Sequence, residues 1–143
     1  MFETTVRVQY YDTDKMMVMH HANYIRYFEV ARTEYLRAEG MSYSQMEKED
    51  FQIPILSVQA EYKEPAVYDE EIVIACRIVR LYHASMEIEY EVRGKENGKL
   101  HVKGKTRHGF TNRALRPIPL KKKQPEIYEF FDRLYQKDKE ADQ

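Results

Sequence analysis

The residues best suited to chemistry lie close together in residues 11–24 (YDTDKMMVMHHANY). Two aspartates, Asp12 and Asp14, and two adjacent histidines, His20 and His21, fall in this short segment. Carboxylate and imidazole groups are common nucleophiles, general bases and general acids in enzymes. A strand pattern precedes the segment and a helix pattern follows it, and loops held on such a rigid support often carry function. We therefore expect the reactive groups of the protein in this loop.

The start of the following helix offers a site for a polarised carbonyl oxygen. The first backbone N–H groups of a helix lack intrahelical partners and carry partial positive charge. A carboxylate such as Asp14, folded back over that helix start, would be set up to attack the carbonyl or to activate a water molecule. From the residues alone two alternatives stay open: the aspartates could only form a turn, or the two histidines could bind a metal together with Asp14.

The helix that must hold this segment is predicted to run from about Asn23 to Gly40. Its apolar side chains recur at helical spacing, at Tyr24, Tyr27, Phe28, Ala31 and Tyr35. Further apolar residues widen this stripe, so the helix needs cover on more than one side and is predicted to be central. Gly40 follows the pattern and is expected to cap the helix at its C-terminus.

Strand patterns lie on both sides of this helix. Alternating or β-branched stretches predict strands at residues 5–11, 53–62, 72–81, 86–93 and 100–108. Residues 125–137 predict a short amphipathic helix, and the polar tail at 137–143 is expected to fray. The order of strand, long helix, four strands and short helix predicts a single α+β domain over residues 1–143, with a curved antiparallel sheet wrapped around the central helix.

The hairpin between the last two strands has a register that the sequence predicts. A two-residue loop would place Val92 opposite Lys103, an apolar residue against a charged one. A three-residue loop with a left-handed Gly98 in a bulge pairs Val92 with Val102 instead. The further pairs in that register are Lys95–Lys99, Glu91–Lys103, Glu89–Lys105 and Glu87–Arg107. We therefore predict the three-residue loop.

Composition and charge argue against several classes of protein. With a net charge of −1 over 143 residues, no overall field would attract nucleic acid or an anionic membrane. No apolar run reaches the roughly 20 residues needed to cross a bilayer, so no membrane insertion is expected. The one cysteine, Cys76, cannot form an internal disulfide, which suggests a reducing compartment. We expect a cytoplasmic protein.

Three pieces of the N-terminal region together match a known family pattern. Residues 11–14 (YDTD), 20–24 (HHANY) and 28–32 (FEVAR), with Glu34, resemble the 4-hydroxybenzoyl-CoA thioesterase-like acyl-CoA thioesterases. The family pattern runs D-T-D-x-x-G-x-x-x-H-x-x-Y, followed by F-E-x-A-R at the same offset. The similarity continues through Pro54, Tyr62, residues 65–70 and residues 104–108, and it covers roughly the first 120 residues.

The resemblance implies a hotdog-fold enzyme that hydrolyses acyl-CoA thioesters with no metal and no cofactor. It also implies homodimers that often pair into a homotetramer. Asp14 matches the catalytic carboxylate, and His21 matches the position whose backbone N–H polarises the thioester carbonyl, with its side chain assisting or only orienting the loop. The residues expected to bind substrate are Met17, Val18, Met19, His20, Tyr24 and Arg107.

The chain departs from the family at two positions: glycine is usual where this chain has Met17, and another small residue is often found where it has Met16. Glycine permits unusual backbone angles or a close approach of substrate. Met17 could therefore reshape the acyl pocket, shift the helix start or weaken catalysis. The flexible side chains of Met16, Met17 and Met19 suggest a pocket for an aliphatic acyl group.

The phosphates of CoA need basic residues at the mouth of the pocket. The candidates are Arg107, Arg113, Arg116 and the run Lys121, Lys122 and Lys123. Glu29 and Arg32, three residues apart on the central helix, are predicted to form a structural ion pair. Two other functions stay open: a non-catalytic acyl-CoA-binding protein, which the change at Met17 would favour, and a thioesterase that acts on acyl-carrier protein.

Overall fold

The computed structural model describes residues 1–141, which form five strands, four α-helices and one 3-10 turn. The strands are β1 (Phe2–Arg7), β2 (Ile55–Tyr62), β3 (Glu71–Leu81), β4 (Ser85–Gly94) and β5 (Leu100–Gly109). The helices are α1 (Asn23–Ala38), α2 (Tyr43–Lys48), α3 (Leu120–Lys123) and α4 (Pro125–Ala141), and the 3-10 turn is Tyr10–Asp12. No helix within residues 1–141 is long and apolar enough to cross a membrane.

All five strands form one antiparallel sheet in the order β1-β3-β4-β5-β2. The long helix α1 packs on the inner face of this sheet, as its broad apolar stripe predicts. Phe28 of α1 is fully buried and stacks on Tyr90 of β4 with ring centroids 4.4 Å apart. Its ring lies so close to Gly104 of β5 that there is no room for a Cβ atom at that position. The predicted α+β hotdog architecture, a sheet around a central helix, is confirmed.

The ends of α1 agree with the sequence prediction. The helix begins at Asn23, ends at Ala38, and is followed by Gly40 in a left-handed conformation with φ of 103°. A φ near this value is readily adopted only by glycine, so Gly40 turns the chain out of the helix.

The register of the β4–β5 hairpin is as predicted, but its loop is not. Val92 lies opposite Val102, and Glu91, Glu89 and Glu87 lie opposite Lys103, Lys105 and Arg107 as predicted. The loop, however, has four residues, because the N–H of Gly94 donates to the carbonyl of Lys99 at 2.9 Å. A bulge at His101 then restores the register, since Arg93 lies opposite Leu100. The predicted three-residue loop and its Lys95–Lys99 pair are therefore wrong, although Gly98 is left-handed as expected, with φ of 67°.

Other elements also differ from the prediction. The first strand is β1, Phe2–Arg7, and residues 10–12 form a 3-10 turn instead of continuing the strand. The short helix α2 was not predicted. The helix α4 continues to Ala141, past the predicted end at 137, because the carboxylate of Asp138 is buried and accepts hydrogen bonds from Tyr35 Oη and Ile78 N at 2.7 and 2.9 Å. The predicted fraying is therefore wrong for residues 137–141, which are helical. Residues 142–143 lie outside the described chain.

Candidate active site

Asp14 lies on a tight hairpin of residues 13–19, here called the Asp14 hairpin. Thr13 pairs with Met19, and the N–H of Asp14 donates to the carbonyl of Val18 at 2.9 Å. The N–H of Met17 donates to the carbonyl of Asp14 at 3.0 Å, which closes a four-residue turn. The Asp14 carboxylate supports this turn, because its Oδ1 accepts the N–H of Met16 at 2.8 Å. Aspartate at the first position of such a turn commonly makes this contact.

Met17 occupies the one left-handed position of this hairpin, with φ of 63°. A three-residue hairpin loop built from a type I turn ends in a residue with positive φ, and glycine is usual there. The family glycine is therefore explained by backbone conformation. Met17 adopts the conformation that glycine would adopt, and its side chain points outward, 42% exposed.

Asp12, two residues before Asp14, is a buried anchor for the loop. Its Oδ2 accepts the Tyr27 hydroxyl at 2.6 Å and the N–H of Gln9 at 2.9 Å. Burial, together with this carboxylate, raises the pKa of Tyr27. The backbone carbonyl of Asp12 accepts the N–H of His20 and the side-chain amide of Asn23, both at 2.8 Å. Asp12 thereby ties the Asp14 hairpin to the first turn of α1, a role that the sequence did not reveal beyond a turn-forming aspartate.

His21 lies immediately before α1, as predicted. The backbone N–H of His21 donates no hydrogen bond to any group within residues 1–141. Its imidazole stacks on that of His20, with ring centroids 4.3 Å apart, and meets the ring of Tyr62 edge-on at 6.0 Å. The Tyr62 hydroxyl donates to the backbone carbonyl of His21 at 3.2 Å. A free N–H at the start of a helix is a suitable donor for a carbonyl oxygen that gains negative charge.

A pocket of about 180 Å³ opens beside His21. It is lined by Met19, His21, Tyr24, Tyr62, Lys63, Glu64, Pro65 and His101. Tyr24 is buried, its hydroxyl oxygen accepts the N–H of Ala66 at 3.1 Å, and burial raises its pKa. Three residues predicted from the sequence, Met19, His21 and Tyr24, thus lie together in one pocket.

The other five wall residues, Tyr62, Lys63, Glu64, Pro65 and His101, were not among the predicted site residues. Tyr62 belongs to the part of the chain that resembles the family, which is a signal that could have found it. His101 alternates with exposed lysines in the sequence, so its pattern gave no such signal.

The other predicted substrate-binding residues lie outside this pocket in a single chain. Val18 pairs with Val67, and His20 is exposed behind His21. Arg107 is exposed on the outer face of the sheet, opposite Glu87 of β4 and Ser57 of β2. A contact between Arg107 and a substrate in the pocket would therefore need a second copy of the chain, and Arg107 stays a prediction.

The predicted ion pair between Glu29 and Arg32 does not form. Arg32 is buried, and its Nε donates to the hydroxyl of Tyr43 at 3.2 Å. Glu29 is exposed, and within residues 1–141 the two side chains make no ion pair. Arg32 lies on the buried side of α1, whereas Glu29 lies on the exposed side. The spacing of three residues along the helix is therefore not enough to pair them.

The candidate basic residues for CoA phosphates are spread over the surface. Arg113 donates to the carbonyl of Glu47 at 3.3 Å and lies 3.7 Å from the Asp50 carboxylate. Lys121, Lys122 and Lys123 form the short helix α3 and are exposed. Within residues 1–141 no three His, Cys, Asp or Glu side chains are grouped so that they could hold a metal ion.

Similarity to known proteins extends over most of the chain. Residues 8–133 match the model of the thioesterase-like superfamily. The acyl-CoA thioester hydrolase YbgC of Escherichia coli is 32% identical over 101 residues, which cover 71% of this chain and 75% of that protein. The crystal structure of the DHNA-CoA thioesterase from Staphylococcus aureus superposes with a TM-score of 0.88 at 28% identity, covering 97% of this chain and 93% of that one.

A second solved structure has the same fold. The hypothetical protein AQ1494 from Aquifex aeolicus superposes with a TM-score of 0.83 at 30% identity, covering 91% of this chain and 98% of that one. A family match over residues 8–133 includes the Asp14 hairpin, α1 and all of the sheet except β1. Fold, hairpin and sequence therefore agree, and this chain belongs to the thioesterase-like superfamily of hotdog-fold hydrolases.

Proposed function

We propose that this protein hydrolyses acyl-CoA thioesters to a free acid and CoA. In this mechanism the N–H of His21 polarises the thioester carbonyl, and the Asp14 carboxylate attacks it or activates the water that does. One observation carries the proposal: Oδ1 of Asp14 is fixed by the N–H of Met16, whereas Oδ2 has no partner within residues 1–141 and is available for chemistry.

The names of the relatives support the CoA thioester as substrate. The Escherichia coli relative is an acyl-CoA thioester hydrolase, and the Staphylococcus aureus structure is that of a DHNA-CoA thioesterase. The pocket beside His21 is walled by apolar and aromatic groups, which suits an acyl group or the pantetheine arm of CoA. Lys63 lies at the same pocket and is the basic residue best placed to meet the negative charge of CoA.

The conformation of Met17 favours catalysis over binding alone. The non-catalytic alternative rests on the loss of the family glycine at this position. Because Met17 takes the left-handed conformation itself, the hairpin keeps its hydrogen bonds on both sides of the turn. The substitution therefore gives no reason to expect a displaced Asp14.

The edge strand β2 is where we expect a second copy of the chain to bind. One edge of β2 pairs with β5, and the other has no strand partner within residues 1–141. Four large side chains of this strand are well exposed: Ile55 42%, Leu56 51%, Val58 36% and Tyr62 47%. A long, apolar, unpaired edge is a strong site for strand pairing. Pairing of two β2 strands would make a homodimer and would bring the second chain close to Tyr62 and the pocket.

A panel of acyl-CoA substrates, from short to long and aromatic, tests the proposal by the release of the CoA thiol. The enzyme's own thiol will not interfere, because Cys76 is fully buried and burial raises its pKa. Light scattering on the same sample gives the oligomeric state, and a monomer would contradict the β2 interface.

Asp14→Asn is the sharpest variant, because the asparagine oxygen can still accept the N–H of Met16 and hold the turn. We expect a fall in kcat of about a hundredfold to ten-thousandfold. Asp132→Asn on α4 is the control, since Asp132 also accepts a hydrogen bond, from Gln136 at 3.3 Å, and should keep full activity. Activity that survives in Asp14→Asn would overturn the assignment of Asp14. No turnover by the wild type would favour a binding protein or a carrier-protein thioesterase.

A further inference from the structure

His101 is buried at a place where the sequence pattern predicts an exposed residue. The bulge in β5 makes Leu100 the partner of Arg93, so His101 is the additional residue and turns inward. Its side chain is 3% exposed and forms part of the wall of the pocket beside His21. Bulges often lie next to active sites, where they redirect a side chain. The bulge therefore places an imidazole in the wall of the pocket.

Both ring nitrogens of His101 face oxygen atoms that accept hydrogen bonds. Nδ1 lies 2.7 Å from the backbone carbonyl of Glu64, and Nε2 lies 2.7 Å from Oε2 of Glu70. A carbonyl oxygen can only accept, so Nδ1 must carry a hydrogen. Nε2 then either donates to an ionised Glu70 or accepts from a protonated one. In both cases the pair holds one proton more than a neutral histidine beside an ionised carboxylate.

The two partners of His101 are the two ends of one loop, residues 64–70, here called the 64–70 loop. Glu70 is held on its other oxygen as well, since Oε1 accepts the N–H of Val67 at 3.1 Å. The middle of the loop is bonded to the Asp14 hairpin at two points, where Met19 N donates to Ala66 O at 2.8 Å and Tyr68 N donates to Met17 O at 3.1 Å. The 64–70 loop is thus the surface against which the Asp14 hairpin is fixed.

We propose that His101 is a positioning residue of the thioesterase site, and that the proton it shares with Glu70 clamps the 64–70 loop against the Asp14 hairpin. The proposal rests on the proposed function only in taking Asp14 as the residue that does the chemistry. Without the shared proton, two acceptors would face each other in a buried site, which is unfavourable. The clamp would then open, and the hairpin would lose its support.

The other charged groups near His101 already have partners of their own. The Glu64 carboxylate lies 3.7 Å from Lys99 Nζ, and Lys63 Nζ lies 3.2 Å from the Glu61 carboxylate. Three titratable groups of the pocket also face this region, namely His21, Tyr24 and Tyr62. None of these is hydrogen-bonded to the His101 ring, so the shared proton belongs to the pair of His101 and Glu70.

Two substitutions separate a clamp from simple packing. His101→Leu removes both donors and leaves the Glu70 carboxylate unpaired, so we expect kcat to fall about tenfold to a hundredfold with a much smaller change in KM. Glu70→Gln lets the side-chain amide donate to Nε2 of a neutral His101 and its oxygen accept the N–H of Val67. This variant needs no additional proton, so we expect nearly full kcat at neutral pH. His83→Leu is the control, because His83 is an exposed histidine in the β3–β4 turn.

The pH profile gives a readout that a packing role would not change. The pH profiles of kcat should differ between the wild type and Glu70→Gln, because only the wild-type pair needs the additional proton. An equal loss of kcat in Glu70→Gln and His101→Leu would overturn the clamp. If His101→Leu does not fold, the profile of Glu70→Gln decides by itself.

Amide hydrogen exchange tests the clamp without using activity. We expect faster exchange at the N–H groups of Met19 and Tyr68 in His101→Leu, with the rest of the sheet unchanged. Unchanged exchange at both amides would overturn the proposal. This result stays informative even if Asp14→Asn keeps its activity, so a failure of the clamp and a failure of the proposed function can be told apart.

Discussion

Met17 offers a direct test of how this chain supports the Asp14 hairpin without the family glycine. We compare Met17→Gly with Met17→Ala. Both variants remove the side chain, but only glycine removes the cost of holding a residue with a Cβ atom at φ of 63°. That cost is about 1–2 kcal/mol for a residue other than glycine. The greater conformational freedom of glycine in the unfolded chain acts in the opposite direction and destabilises the glycine variant by about 0.4–1 kcal/mol.

The difference between these two terms predicts the sign of the result. Met17→Gly should be more stable than Met17→Ala by about 0.5–1 kcal/mol. At an ordinary backbone position the order is reversed, because glycine is then the less stable residue. Lys15 lies in the same turn, is exposed, and does not have a positive φ. The pair Lys15→Gly and Lys15→Ala is therefore the matched control and should show the reversed order.

Urea denaturation followed by far-UV circular dichroism measures these differences. A change of 1 kcal/mol corresponds to a shift in the thermal midpoint of roughly 2–5 °C for a chain of this size, so thermal unfolding gives a second measure. If Met17→Ala proves as stable as Met17→Gly, the left-handed backbone is not under strain and the reasoning fails. If both pairs show the same order, the effect does not come from the backbone conformation at Met17.

Two further predictions concern the core. Gly104→Ala should destabilise the protein by about 1–3 kcal/mol, because the added Cβ would overlap the Phe28 ring, and unchanged urea stability would show that Phe28 can move aside. His108 is fully buried and burial lowers its pKa to about 4, so the folded protein keeps it neutral while the unfolded chain protonates it below about pH 6.5. Its contribution to stability is thus present at neutral pH and is lost as the pH falls toward 4, by about 2 kcal/mol between pH 7 and pH 5. Urea unfolding at both pH values checks this, and His108→Leu should lose that part of the pH dependence.

The sequence predicted the architecture well because the apolar pattern reports which face of each element is buried. The long stripe of α1 required cover on several sides, and the five strand patterns in the same chain predicted that a sheet supplies it. The charge pattern was also sufficient for the β4–β5 register, since three glutamates and three basic residues align in one way only. The loop was predicted wrongly because a bulge at His101 can compensate for one additional loop residue, and alternation alone does not show a bulge.

The candidate site was predicted less completely than the fold. Met19, His21 and Tyr24 were predicted together because they belong to one contiguous motif, and all three line the pocket, whereas the role of Asp14 stays a prediction. The roles of four polar residues were missed because the fold buries each of them against the pattern. Asp12, Arg32, His101 and Asp138 are all buried, and their partners lie far away in the sequence or in the backbone. The periodicity of a single sequence does not show which distant group a buried polar side chain will contact.

The backbone contacts of Met17 explain how a position that usually needs glycine can accept another residue. Its N–H donates to the carbonyl of Asp14, and its carbonyl accepts the N–H of Tyr68 in the 64–70 loop. Both sides of the left-handed residue are thus fixed, and such surrounding bonds allow an unfavourable conformation to persist. The side chain itself points outward and does not line the pocket beside His21. Glycine at this position would adopt the left-handed conformation without strain. In this chain the hydrogen bonds with Asp14 and Tyr68 hold Met17 in that same conformation.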